Sequence, residues 1–363
     1  MDASLYYPLF LTMITILCVV TAFRYLSSTN YGLQMEKGTI TIPFILSLVI
    51  IVWIGNRPVS GVYFGDTSNY ALVYNRMEIG PVFMDWSREW IWGWLLMLCK
   101  IIRLDIHGFF TVVEAGYVFS VLWAVKKFMP SNPMIGMLFV WSSLMYFTFG
   151  VNGLRNGLAC HIILLAIAFL LEAKYLYGIL LCLVAFGIHR STILPIMGIA
   201  AAFIIRDVKY AIYFWLFSIP LSLVAGGAIT SVFASLGFDD RMSGYTNIDN
   251  EMSQFSQSGF RWDFLLYSAM PVLMAWYVCI KRQVSDSWYN ALCTVYCLCN
   301  AFWIIVIRSS FSNRFAYLSW FLYPIIIAYP LVNLAVWDDQ DRKTGQILLA
   351  YCGFTVFMQL IYW

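Results

Sequence analysis

From Leu5 to Phe23 the chain carries no charged residue, and apolar segments of similar character recur along its length. A run of that size is what a helix needs to cross a bilayer. Inside a bilayer only helices and closed barrels satisfy their own backbone groups. Hydrophobic residues occupy 61% of the 363 positions and charged residues 11%, too little charge to cover a water-facing surface. The chain therefore reads as an all-α, polytopic membrane protein forming one membrane domain over residues 1–363. Twelve segments are candidates to span: roughly 5–26, 39–55, 108–127, 134–151, 155–171, 175–189, 192–205, 210–236, 262–280, 287–307, 315–336 and 346–362. A thirteenth, Trp90 to Leu104, contains Lys100 and Arg103 and is short, which suits a re-entrant or interfacial helix. Asp2, with no basic residue beside it, precedes the first run, so that run is expected to be a retained span rather than a cleaved signal.

A net charge of +3 says less here than where the charges lie. If 90–104 does not cross, the connections near 24–38, 126–133, 172–174, 206–209, 281–286 and 338–345 share one face, with seven Lys and four Arg. The other face then holds Lys100 and ten Arg, so the totals are equal and the residue types differ. The Lys-rich loops read as the cytoplasmic anchor, and the Arg-rich side as the functional, outward one. Two outer loops are long, 56–89 and 237–261. The second reads either as a lid over an outward cavity or as a passive surface loop. All nine cysteines fall in apolar stretches. Cys293, Cys297 and Cys299 lack both CxxC spacing and a nearby His, so they read as packing residues rather than metal ligands.

Arginine recurs at the ends of apolar segments in three compact motifs: Val151 to Gly157, Gly187 to Ser191 and Ser309 to Arg314. A guanidinium near a bilayer is costly and generally faces a protein interior or a wet cavity. Several arginines without matching acids suggest an anion pocket, and phosphate suits their planar fork. Arg155 opens a helix between Gly153 and Gly157, which is either a phosphate cradle or a small-residue packing face. His189 and Arg190 close one span. His189 is either a proton acceptor or a hydrogen-bond donor to a phosphate, or simply a helix cap. Arg308 and Arg314 bracket a loop with Asn313, as second phosphate-binding arginines or as interfacial anchors. Asp66 and Glu89 are the outer acids nearest apolar segments, each able to act as a base or to pair with an arginine. Glu114 lies inside a span, where it would pair with an Arg or line a cavity. His161 faces away from Arg155 and reads as packing. No P-loop, HExxH, nucleophile elbow or dinucleotide glycine pattern is present.

Taken in order, Gly65 to Tyr70, Glu89, Asn152 to Ala159, Gly187 to Ser191 and Asn313 to Tyr317 resemble the EpsG family of exopolysaccharide and O-antigen polymerases, akin to the Wzy polymerases. The likeness covers about residues 5–336. Trp90-Ile91-Trp92 departs from the Pro-containing segment common in that family. The resemblance implies a membrane glycosyltransferase with a fold related to the GT-C and O-antigen ligase class. It would work in the bacterial cytoplasmic membrane with its site facing outward. It would pass a growing glycan from undecaprenyl diphosphate to the non-reducing end of a lipid-linked repeat unit, with no metal or other cofactor. Carried over by motif, Arg155, Arg190 and Arg314, with Arg308 beside them, would bind diphosphate. His189, Asp66 or Glu89 would orient or deprotonate the acceptor, supported by Tyr70, Asn152, Asn156 and Asn313. The expected partners are the lipid-linked oligosaccharide, the bilayer and a separate chain-length regulator, with no nucleic acid. A flippase for the same lipid-linked glycan and a membrane acyltransferase that decorates it are the rival classes. A flippase should carry midplane charges or repeated halves, and an acyltransferase should carry a His-Asp pair, which His107 and His161 do not form.

Overall fold

Side-chain caps fix where many of the helices start. The computed structural model describes residues 1–27, 39–81, 84–85, 88–235, 260–309 and 312–362. Most of the expected outer loop 237–261, including Arg241, and Ser310-Phe311 of the third arginine motif lie outside those residues. Asp2 accepts from the Ser4 N–H (3.1 Å) to open α1 (Ala3–Leu26). After α2 (Thr41–Gly55) come two short helices, α3 (Gly61–Phe64) and α4 (Thr67–Arg76), and then α5 (Trp90–Ile101). Asp105 caps α6 (Ile106–Phe128) through the Gly108 N–H at 2.8 Å. Asn132 caps α7 (Pro133–Trp141), with proline at the first helical position where its missing N–H costs nothing. Next come α8 (Tyr146–Val151), α9 (Leu154–Leu171), α10 (Tyr175–Ile188), α11 (Ile193–Ile204) and α12 (Val208–Ser235). The last five are α13 (Trp262–Ala275), α14 (Ser287–Ile305), α15 (Asn313–Trp320), α16 (Tyr323–Asn333) and α17 (Gln340–Tyr362). There is no strand among the described residues.

Among the described residues, eight helical stretches are long and apolar enough to cross a bilayer: α1, α6, α9, most of α12, α13 with its π-helical extension to Lys281, α14, α15–α16 and α17. The protein is an all-α, multi-pass membrane protein. Three other expected spans are apolar helices of 15, 14 and 12 residues (α2, α10 and α11). At 1.5 Å per residue these reach about 18–23 Å, short of a hydrocarbon core of about 30 Å. The stretch read as a span over 134–151 is broken into α7 and α8. Ser142 Oγ donates back to the Leu138 carbonyl (2.6 Å), and the Ser143 N–H takes the Val140 carbonyl three residues back, so the chain leaves the helix there.

The chain forms two units, Met1–His189 with Ile327–Trp363, and Arg190–Ile326. In the first, α1 packs along α17, α2 along α6, and α9 lies against both α6 and α10. Helix α9 is buried along most of its length, whereas α1 keeps most of its surface exposed, as a lipid-facing helix would. Lys127 and Lys174, from the Lys-rich connections, both pair with Glu172 just past the end of α9 (2.7 and 2.9 Å).

In the second unit a buried polar hub holds four helices. Trp215 Nε1 of α12 donates to Asn300 Oδ1 of α14 (2.8 Å). Asn300 Nδ2 donates to Ser268 Oγ of α13 (3.2 Å) and Ser319 Oγ of α15 (3.0 Å). Trp320 Nε1 also donates to Ser268 Oγ, at 2.7 Å. Where apolar surface gains nothing from leaving water, such bonds and close packing hold helices together. Asn300→Leu strands the Trp215 N–H and is expected to lower stability by about 1–3 kcal/mol, read as a shifted midpoint of detergent-induced unfolding. An unchanged midpoint would show that the hub contributes nothing.

Candidate functional site

The Gly65–Tyr70 motif is clasped onto the Val151–Gly157 motif by backbone-directed bonds. Gly65 has φ +54° and ψ −117°, a conformation open in practice only to glycine. A Cβ there would lie 2.3 Å from Asn152 Oδ1. That close approach lets the Asp66 N–H donate to Asn152 Oδ1 (2.9 Å), while Thr67 Oγ1 donates to the Val151 carbonyl (2.6 Å). Asn152, expected in a supporting role, thus holds the loop that carries Asp66. On the other side of the clasp, a Cβ on Gly157 would lie 2.3 Å from the Phe149 carbonyl oxygen, so glycine permits the turn from α8 into α9.

The clasp sets Tyr70, one turn into α4, beside Arg155, in the first turn of α9. Arg155 Nε donates to Tyr70 OH (3.4 Å), and the guanidinium carbon lies 5.8 Å from the ring centre. Trp92 of α5 backs Tyr70 edge-on at 5.7 Å. Arg155 Nη1 forms an ion pair with Glu89 Oε2, immediately before α5. The other Glu89 oxygen, Oε1, meets His189 Nδ1 at 2.6 Å. A carboxylate only accepts, so Nδ1 carries a proton and donates it in the bond to Glu89, which leaves Nε2 as the nitrogen turned away from the carboxylate. Gly187 makes this meeting possible, because a Cβ there would lie 2.6 Å from Ile91 Cγ1, allowing α10 to lie directly on α5. The side chains of Arg155, Glu89 and His189 keep 21, 19 and 16% exposure, so the cluster is largely shielded yet reachable.

Four of the expected site residues, Tyr70, Glu89, Arg155 and His189, therefore meet around one carboxylate. Arg155 is not an arginine lacking an acid, as the motif pattern suggested. Asp66 sits at the start of α4 and accepts from Asn69 Nδ2 at 3.3 Å. Asn156 is buried in α9 and accepts from the Cys160 thiol at 2.9 Å. In the second unit, Arg190 begins a 3₁₀ turn directly after His189. Arg308 is exposed and reaches the Leu223 carbonyl at 3.5 Å. Asn313 and Arg314 open α15, where Asn313 Nδ2 donates to Tyr317 OH at 3.4 Å. His161 is a packing residue, its Nδ1 2.7 Å from the Gly157 carbonyl and its ring edge-on to Tyr117 and Phe149. Cys293, Cys297 and Cys299 are buried along α14.

Two residues escaped the sequence reading. Thr67 is part of a motif, but its bond to Val151 is a contact across 84 residues. Arg57 counted only as a loop charge, yet it is fully buried. The one hint was its position between a long apolar run and Pro58.

Residues 40–363 match the EpsG family. The chain belongs to that family. The matched segment holds every residue of the cluster around Glu89, and EpsG membership points to polysaccharide polymerisation as the general activity. No match was found among curated proteins or among solved structures.

The clasp predicts a coupled pair of substitutions. Gly65→Ala is expected to cost about 1–3 kcal/mol through its positive φ and the clash with Asn152. Asn152→Ala removes the clashing oxygen, so the double variant should lose less than the sum of the singles, measured by unfolding in mixed micelles. Strict additivity would show that the two motifs do not touch.

Proposed function

We propose that this EpsG-family protein is a metal-independent glycosyltransferase that polymerises a polysaccharide. It would transfer a growing glycan from undecaprenyl diphosphate to the non-reducing end of a lipid-linked repeat unit, on the outer face of the cytoplasmic membrane. The observation that carries this reading is Glu89 holding Arg155 and His189 together, which puts a proton acceptor beside an anion-binding group.

In this scheme His189 Nε2 takes the proton of the acceptor hydroxyl, and Glu89 on Nδ1 fixes the ring and steadies the imidazolium that forms. The hydroxyl oxygen attacks the anomeric carbon of the donor glycan. The bond from that carbon to the diphosphate oxygen breaks, and its electron pair leaves with undecaprenyl diphosphate. The charge that develops there is what Arg155 offsets. A guanidinium has five N–H donors, and the contacts to Tyr70 and Glu89 draw on Nε and Nη1, so donors remain for phosphate. By motif, Arg190, Arg308 and Arg314 are proposed as further diphosphate-binding arginines, and Asp66 as the group that orients the acceptor sugar. A separate chain-length regulator completes the proposed assembly.

The test uses the full chain in nanodiscs with its undecaprenyl-diphosphate repeat unit and EDTA, with lipid-linked products resolved on a gel. A ladder is expected. Arg155→Lys, which keeps the charge and loses the fork, should slow polymerisation about 10²–10³-fold, and His189→Ala about 10²–10⁴-fold. Near-normal polymer from Arg155→Lys would remove its diphosphate role. Bound, intact substrate with no ladder would favour a flippase.

A further inference from the structure

Two apolar helix faces meet beside the Glu89 cluster and then part. The meeting point is Ile91 of α5 against Gly187 of α10, where a Cβ on the glycine would lie 2.6 Å from Ile91 Cγ1. Glu89 stands just before Ile91 and His189 just after Gly187, and these two are joined at 2.6 Å. Along α10, Leu183, Leu180 and Leu176 precede Gly187 at helical spacing and so share its face. Along α5, Trp94 and Leu98 follow Ile91 at helical spacing and share that face in turn. Had the two helices packed along their length, these side chains would cover one another. Instead all five are between 44 and 67% exposed. Contact is therefore confined to the helix ends, and the two faces open into a wedge whose apex is the bond between Glu89 and His189.

The opposite faces are closed. Trp92, Leu96 and Cys99 turn the other side of α5 into the protein, with Trp92 edge-on to Tyr70 and Phe109. Gly178, Cys182 and Ala185 do the same for α10, where a Cβ on Gly178 would lie 2.4 Å from Leu170 Cγ of α9. What fits the wedge follows from what its apex offers. Arg155 is paired with Glu89 there and keeps part of its side chain open. An anionic head group held by Arg155 has to carry its tail away through apolar surroundings, and the closed faces leave the wedge as the route. From Gly187 to Leu176 the floor of the wedge runs about 16 Å, roughly half of a hydrocarbon core of about 30 Å.

We propose that the wedge between α5 and α10 seats the isoprenoid tail of the lipid-linked diphosphate substrate. The identity of that head group rests on the polymerase reading. The tail is held by van der Waals packing, since an isoprenoid gains no hydrophobic advantage by leaving other lipid chains. Shape therefore matters more than apolarity, and bulk placed in the wedge obstructs the tail.

The first test is photo-labelling of the full chain in nanodiscs with radiolabelled undecaprenyl diphosphate. A photoreactive residue in place of Leu98 or Leu183 should take up about ten-fold more label than the same residue in place of Ile16 or Val20, a preference of about 1.4 kcal/mol. Ile16 and Val20 are the control because they are exposed on α1, which packs along α17. Excess unlabelled undecaprenyl diphosphate should remove the preference. Arg155→Ala should remove it too, because nothing then holds the head group at the apex. The second test is kinetic. Leu180 lies about 10 Å down the wedge from Gly187. Leu180→Trp should raise KM about ten-fold for a repeat unit on an undecaprenyl tail, with kcat little changed, and leave KM unaltered for the same unit on a single isoprene tail. Equal labelling of α1 and the wedge would mark ordinary bilayer contact and overturn the proposal, as would an equal rise in KM with both tails. If Leu180→Trp fails to fold, the labelling decides alone. Polymer formed without preferential labelling removes the wedge and keeps the polymerase reading. Preferential labelling in a chain that makes no polymer keeps the wedge and removes that reading.

Discussion

The Glu89 carboxylate joins two cationic or protonatable groups that are 66 and 100 positions away in the chain. Every helix of the site is placed so that this can happen. A guanidinium and an imidazole brought near a bilayer need an anion, and an anion brought there needs them. One carboxylate with two oxygens meets both needs and leaves the group polar and partly open. Helix α5 delivers it. Its N-terminal end meets the first turn of α9 and the last turn of α10.

Glycine does the complementary work of removing obstacles. Gly187 lets α10 lie on Ile91, Gly65 lets the Asp66 loop fold onto Asn152, and Gly157 lets α8 turn into α9 against a backbone oxygen. Each contact is under 3 Å for an imagined Cβ, so none of the three approaches survives an added side chain without movement. The motifs that first drew notice to Arg155 and His189 are thus partly motifs of access. Their glycines bring helices together, and their polar residues occupy the space that results.

That division explains how much was legible in the sequence. The apolar runs dictate an all-helical membrane protein, and the short stretch after Glu89 reads correctly as a helix too short to span. Arg155, His189 and Glu89 were visible as chemistry because charge is scarce in this chain. Their mutual arrangement was not, since a motif names residues and says nothing of partners 66 or 100 positions distant. The idea of arginines lacking acids came from counting along the chain, where Glu89 stands next to no arginine of the later motifs. The break inside 134–151 was hidden because its residues remain apolar, and only the backbone-directed bond of Ser142 reveals it. Arg57 was hidden for the opposite reason. In a sequence, a loop arginine after an apolar run looks the same whether it is solvated or sealed.

Burial separates two arginines of the first unit, Arg155 and Arg57. Arg155 and Glu89 share a direct ion pair with about a fifth of each side chain exposed. Arg57 and Glu114 are sealed, with no hydrogen bond between them. An anion that reaches Arg155 meets a guanidinium already desolvated and held by Tyr70 and Glu89, so little of its orientation is left to be fixed on binding. No anion reaches Arg57, which is sealed from the outside and has each of its three nitrogens on Ile54 or Thr67. The same two residue types therefore divide the work according to burial alone. The accessible pair keeps part of its surface open, and the sealed arginine closes α2 and braces Thr67.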